Sequence, residues 1–416
     1  MGTDVERATE PGRHGMRYCL LAGAVFAVCM AGTTLPTPLY GLYQEELGFS
    51  ELIVTVVYAV YAFGVIAVLL LAGDASDVLG RRPVLAWGLA LGAASAVCFL
   101  CARSVGGLPL LYAGRLLSGF SAGLFTGAAT AYVLELAPPG GRDRATFVAT
   151  AANMGGLGCG PLLAGLLARY ASADGLPLIL PFAVHLVLLA VSAGVLRALP
   201  ETVAGRRPGR RVRPRRPALP AEVRPVFLPA ATAAFVGFAL LGVFTSVGPA
   251  FLNESLHVHD RALIGLVASL AFFASLAGQL VVGRLGVARS LVLGCLVLIA
   301  GLALLAGGLV TEVLALVVLS ALVAGAGQGL AFRGALAAVA RAAPEQHRAA
   351  VISALFVAGY AGISVPVIGV GLLSGPLGLE DAGLVFIACM AALAAAAAAY
   401  LLLRPVGGPG TARRGE

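Results

Sequence analysis

Three places in this chain set ionisable groups where they could act on one another or on a charged solute. The first is the stretch Gly73-Asp-Ala-Ser-Asp-Val-Leu-Gly-Arg-Arg-Pro-Val-Leu85, where Asp74 and Asp77 lie close to Arg81 and Arg82. Two acids and two bases at this spacing suit an ion-pair network rather than covalent chemistry. Gly73 and Gly80 permit the backbone angles of a tight reversal, and Pro83 suits the first turn of a following helix. The second is Arg115, a single cation inside an apolar run, about 10 Å from its end at 1.5 Å per residue. Such an arginine is either a functional group or an anchor that snorkels to the surface. The third is a pair of groups that could carry a proton. Glu135 closes the same run, and His185 sits about 12 Å into another. An imidazole suits proton exchange near neutral pH, and equally suits plain packing. No Asp or Glu falls in the middle of any apolar run. No nucleophile–base set or metal-ligand cluster appears, so neither an enzyme nor a metal or other cofactor is expected. The chain has no Lys, so it has no Gly-x4-Gly-Lys-Ser/Thr phosphate loop, and ATP-driven action is disfavoured.

The elements that hold these groups are membrane helices. Of 416 residues, 59% are apolar and 12% charged, with mean hydropathy +0.95; so few charges cannot cover a soluble protein. Twelve apolar runs are long enough to cross a bilayer, at about 18–39, 52–72, 84–102, 108–134, 146–168, 177–199, 226–252, 262–283, 290–310, 312–338, 349–373 and 382–403. The first is too long for a typical cleaved signal peptide. All 28 basic residues are Arg, which reflects base composition of the gene and points to no nucleic-acid partner. With the N-terminus inside, 23 of the 28 Arg fall inside and only Arg103, Arg169 and Arg261 outside, while Arg115 and Arg333 stay within spans. This asymmetry predicts both termini in the cytoplasm, in a plasma membrane of the bacterial inner-membrane kind.

The expected organisation is a cytoplasmic tail (1–17), a six-helix bundle (18–202), an Arg- and Pro-rich linker (203–225), a second bundle (226–404) and a short tail (405–416). The linker is predicted to be extended and could touch anionic lipid. The halves echo one another. Ala137-Pro138 with Arg144 parallels Ala343-Pro344 with Arg348, Ser118-Gly119 parallels Gln328-Gly329, and Pro161 parallels Pro366. Parallel repeats of this kind put a solute site near the midplane between the halves. The seven Cys all lie in apolar runs; Cys98 and Cys101 share a helix face, as a redox pair or as small buried hydrophobes. Gln279 and Asn153, near helix ends, read as helix-bridging groups.

The Gly73–Arg82 spacing resembles the loop between helices 2 and 3 of the major facilitator superfamily, where it forms a cytoplasmic gate. The resemblance implies a twelve-helix, all-α membrane fold in two pseudo-symmetric six-helix bundles. It also implies that Asp77 faces a helix N-terminus of the other half, and that Arg81 and Arg82 join a charge network. Arg115-Leu-Leu-Ser118-Gly119 is similar to the family's helix 4 motif, with Ser118 where Gln is usual, and links Arg115 to proton coupling. Gly156-x3-Gly160-Pro161-x2-Ala164-Gly165 resembles the helix 5 motif of the drug–proton antiporter branch, with Ala164 where Gly is usual. Taken without the resemblance, the same glycines and proline describe close helix packing. Thr37-Pro38-Leu39-Tyr40 and Leu199-Pro200-Glu201-Thr202 are smaller likenesses.

The family's cavity is lined mainly by helices 1, 4, 7 and 10, which makes Thr33, Thr34, Phe120, Phe125, Phe235, Phe238, Phe244 and Phe332 candidates. An apolar, aromatic cavity favours a lipophilic solute. The expectation is therefore a monomeric, proton-coupled exporter of lipophilic drug-like or secondary-metabolite molecules. Two alternatives stay open: a facilitator or symporter for a small polar metabolite, suggested by the missing mid-membrane acid, and a non-transporting sensor. A topology reporter fused after Arg82 is expected to be active only on the cytoplasmic side; activity outside would overturn the sidedness.

Overall fold

The computed structural model describes residues 15–171, 175–203, 214 and 219–404. The expected N-terminal tail up to residue 14, the expected C-terminal tail and most of the expected linker lie outside them. Twelve long helices run through the described chain: α1 Met16–Thr34, α2 Glu51–Leu71, α3 Arg81–Cys101, α4 Gly107–Glu135, α5 Arg142–Tyr170, α6 Leu176–Ala198, α7 Arg224–Ser246, α8 Arg261–Leu285, α9 Val287–Thr311, α10 Leu314–Ala342, α11 Arg348–Leu377 and α12 Leu379–Leu403. Each belongs to a stretch long and apolar enough to cross a membrane. A helix satisfies its own backbone hydrogen bonds, which a bilayer interior demands.

Three of the boundaries that differ from expectation have a local reason. The first run stops as an α-helix at Thr34, ahead of Pro36 and Pro38. It continues as a 3-10 turn, Thr37–Leu39, and a short helix, Tyr40–Leu47. Proline removes a backbone donor and disfavours helix in the residue before it. The seventh run breaks in the same way near Pro249, giving α7 and the short helix Gly248–Glu254. α3 begins at Arg81 and not at Val84, because a carboxylate from elsewhere caps its first amides.

Helices α1–α6 and α7–α12 form two bundles. Within each, small residues let backbones touch. Gly119 of α4 meets the backbone of Tyr61 and Gly64 on α2, and its repeat partner Gly329 of α10 meets Ser275 on α8. Gly160 of α5 meets Ala31 on α1, and Gly362 of α11 meets Phe235 on α7. Two crossings join the bundles, α5 on α8 and α11 on α2. At the first, Gly165 and Gly265 face each other, and a Cβ on Gly265 would run into the Pro161 carbonyl. Lipid tails are as apolar as leucine, so helices associate through such close packing and not through the hydrophobic effect.

The ends of the molecule are distinguished here by their charge. The arginine-rich end carries the start of α1, the α2–α3 connection and the ends of α4 and α6. Among the described residues, contacts that join the bundles from the middle towards the opposite end include Tyr58 with Thr245 at 2.6 Å, Ser275 donating to the Met154 sulfur at 3.6 Å, and Arg169 with Asp260. Replacing Gly265 with Leu is expected to destabilise the fold by about 1–3 kcal/mol through overpacking. The check is the thermal unfolding midpoint in detergent; an unchanged midpoint would show that the α5–α8 crossing is not tight.

Candidate functional site

The α2–α3 connection folds into the short helix Ala75–Leu79, which follows the turn at Gly73 and Asp74. The Asp74 carbonyl accepts from the amides of Asp77 and Val78. Gly80 then adopts φ +101°, a region that favours glycine. A Cβ there would also press on the Glu201 carboxylate. Glu201 follows α6 and caps α3: Oε1 accepts from the Arg81 amide at 2.9 Å and Oε2 from the Arg82 amide at 3.0 Å. The helix N-terminus presents unsatisfied amides and a partial positive charge, so a carboxylate is stabilised there.

Arg81 lies at the centre of this corner, and is 9% exposed. Its Nη1 donates to Ser76 Oγ and to Asp77 Oδ1, both at 2.6 Å. Its Nη2 donates to Glu135 Oε1 at 2.8 Å, and Nε reaches both Glu135 oxygens at 3.2–3.3 Å. Thr202 donates its hydroxyl to Glu135, and Tyr132 donates to the Pro200 carbonyl. Arg82 Nη2 donates to the Arg197 carbonyl at 2.8 Å, the charge complement of an α6 C-terminus. Asp77, Arg81, Arg82 and Glu135 are thus brought together, with Glu201 as a member that the sequence reading passed over. The expectation that Asp77 faces a helix N-terminus of the other half is corrected. Arg81 of its own loop takes Asp77, and the capped N-terminus is that of α3. Glu135 is equally engaged in this corner and does not reach the central cavity.

That cavity lies between the bundles, with a volume of about 60 Å³. Met30, Thr33, Thr34, Arg115, Thr126, Phe238 and Phe332 line it, as do Tyr58 and Tyr61 of α2, Asn153 and Met154 of α5, Phe272 of α8, Gln328 of α10, and Phe356 and Tyr360 of α11. Arg115 is 1% exposed, so it does not snorkel. Its guanidinium carbon lies 5.1 Å and 4.8 Å from the ring centroids of Tyr58 and Tyr61, a favourable cation–π placement. Nη1 donates to the Thr33 carbonyl at 2.7 Å, and Nη2 makes a long bond of 3.4 Å to the Tyr58 carbonyl. The opposite wall is aromatic: the Phe238 ring packs edge-on against Phe332 and Tyr360 at 5.1 and 5.8 Å.

Several expected cavity residues lie elsewhere. Phe125 is fully buried against Phe26 and the backbone at Gly88. On α4, Arg115 and Thr126 are three turns apart and share a face, and Phe125 is turned from Thr126 by about 100°. Phe120 is half-buried and outside the lining, turned by about 140° from Arg115. Phe235 offers only its backbone, to Gly362. Phe244 points into a separate apolar pocket of the second bundle, beside Leu305, Val317 and Phe386. His185 is buried inside the first bundle among Cys29, Gly32, Ser118 and Ser121, because α6 packs behind α1 and α3 and has no face on the centre. In α5, Gly156 and Gly160 meet α1, while Pro161 and Gly165 meet α8. Close packing accounts for that motif.

Sequence reasoning missed Tyr58, Tyr61, Gln328, Phe356 and Tyr360. It assigned the lining to four helices, whereas α2, α5, α8 and α11 also contribute. Tyr58 and Tyr61 are three residues apart in an otherwise aliphatic run, which was the available signal. Asn153 lines the cavity, and Gln279 donates to Ser275 at 3.3 Å. All seven cysteines are free.

The family model described as the Major Facilitator Superfamily matches residues 21–259 and 243–416. The chain belongs to the Major Facilitator Superfamily. This superfamily member also resembles solved transporters in fold: the xylose transporter XylE from E. coli in its inward open conformation (TM-score 0.72, 16% identity, covering 95% of this chain and 96% of that one) and the nucleoside transporter NupG (TM-score 0.68, 17% identity, 92% and 98%). Among curated proteins it is 32% identical over 221 residues to a probable quinate permease of Neosartorya fischeri and 31% identical to one of Aspergillus fumigatus. These matches span 47% of this chain, and only 38% of the relatives' length. The family and the fold are those of secondary transporters.

Removing the acid that caps α3, as Glu201→Ala, is expected to lower stability by about 1–2 kcal/mol, within the range for a lost cap. Glu201→Gln, which keeps an acceptor, is expected to lose less. Thermal midpoints of the two purified variants decide this; equal losses would mean that charge and not hydrogen bonding holds the corner.

Proposed function

We propose that this superfamily member moves a small, polar organic metabolite by alternating access, as a facilitator or symporter, with its arginine-rich end in the cytoplasm. The observation that carries this is the composition of the central cavity. Thr33, Thr34, Tyr58, Thr126, Asn153 and Gln328 bring hydroxyl and amide groups to a wall that Phe238, Phe332 and Phe356 make apolar. A purely lipophilic solute would leave Gln328 Nε2 unpaired, at a cost, whereas the hydroxyls of Thr33, Thr34, Tyr58 and Thr126 are already hydrogen-bonded within the protein and can accept a further bond from a polar solute. The relatives named as quinate permeases and the xylose and nucleoside transporters of the same fold are consistent with a polar solute. Glu135 and His185 sit away from the cavity, and passive exchange needs neither.

A second reading, proton-coupled efflux of lipophilic molecules, draws on the Gly156–Gly165 motif. It is weaker because helix packing already explains that motif. Purified protein in vesicles with an imposed pH gradient separates the two. Counterflow of quinate, xylose or uridine without movement of tetraphenylphosphonium supports the metabolite reading. Gradient-driven extrusion of tetraphenylphosphonium that a protonophore abolishes would replace it with the efflux reading.

A further inference from the structure

We propose that the solute carried through the central cavity bears a carboxylate, that Arg115 holds it, and that a ring on the solute packs against the Phe238 side. This rests on the transporter reading above and deepens it to a substrate class.

The argument starts from charge balance. Taking an ion out of water is costly unless an opposite charge and hydrogen bonds replace the water. Other arginines in this fold obey that rule. Arg81 pairs with Asp77 and Glu135, Arg103 with Glu46, and Arg169 with Asp260. Arg115 is the most buried of these and, among the described residues, has no carboxylate partner. No Asp or Glu lines the cavity. Two tyrosine faces and two backbone carbonyls solvate the cation without neutralising it.

The donor geometry says what is missing. Nη1 is committed to Thr33, Nη2 makes only the long bond to Tyr58, and Nε has no hydrogen-bond partner. Nε and Nη2 form one edge of the planar guanidinium, the edge that takes two carboxylate oxygens side by side. A second unsatisfied donor, Gln328 Nε2, is on a residue that is also 1% exposed and lines the same cavity. Two orphaned donors in one cavity ask for a ligand rich in acceptors: an anionic group at Arg115 and a hydroxyl or carbonyl oxygen at Gln328. The edge-on cluster of Phe238, Phe332 and Tyr360 supplies the flat apolar surface on which a six-membered ring would rest.

The test compares acids with their isosteric amides on the full-length protein in detergent. Benzoate, cyclohexanecarboxylate and quinate are titrated against benzamide and cyclohexanecarboxamide, with the thermal midpoint as readout, since a ligand of the folded state raises it by mass action. The acids are expected to half-saturate at concentrations at least tenfold below the amides. Arg115→Gln should erase that preference while keeping whatever amide binding the wild type shows. Arg115→Lys should keep a reduced preference, having the charge without the two-toothed edge. If Arg115→Gln does not fold, the wild-type comparison alone decides. Acids and amides binding alike would overturn the proposal. So would xylose, uridine or tetraphenylphosphonium binding and crossing vesicles while no acid does, a result that leaves the transporter reading intact. Absence of binding and flux for every solute would bring down both.

Discussion

Close approach between helix backbones is the constraint on which this structure depends. A bilayer offers helices no reason to leave lipid for one another except contact, and contact needs small residues. The chain meets this need twice over, in register with its internal repeat. Gly119 and Gly329 hold α4 and α10 to their neighbours, and Gly160 and Gly362 do the same for α5 and α11. The seam between bundles uses the same device at Gly165 and Gly265. Because α5 packs on α1 with one face and on α8 with another, it serves both as wall and as hinge surface.

Against this apolar scaffold, two charged sites work differently. At the arginine-rich end, Arg81 is shared between Asp77 and Glu135, and Glu201 occupies the α3 terminus. The partners of Arg81 and Arg82 in this corner all come from the first bundle. In the cavity, Arg115 has aromatic and carbonyl company but no counter-ion. One site is electrostatically complete and rigid; the other is complete only when something enters it.

The fold was legible because its signals are long and redundant. Twelve apolar runs, arginines at their ends and matched Pro and Gly positions leave little freedom. Helix ends were read less well where proline splits a run, as at Pro36 and Pro249, or where a distant group fixes the boundary, as Glu201 does for α3. The site was half legible. Arg115 is conspicuous as a lone cation in a span, and Asp77 with Arg81 as charges at fixed spacing. Which face each residue presents was not readable, because nearly all faces of a membrane helix are apolar and periodicity loses its contrast. Phe125 and Phe244 were misplaced for that reason, and Tyr58, Tyr61 and Tyr360 were overlooked because the lining was assigned to helices 1, 4, 7 and 10, which leaves out α2 and α11. The role of Glu201 depends on a contact across 120 residues, which no local pattern encodes.

That long-range contact has a mechanical meaning. The bond from Glu201 to the start of α3 joins the point where the chain leaves the first bundle to the loop between its second and third helices. A pull on the chain at Val203 would therefore reach Gly80 and the Arg81 corner through Glu201, bypassing the intervening helices. The chain's exit from the first bundle and the α2–α3 loop are thus held at one point by a single carboxylate.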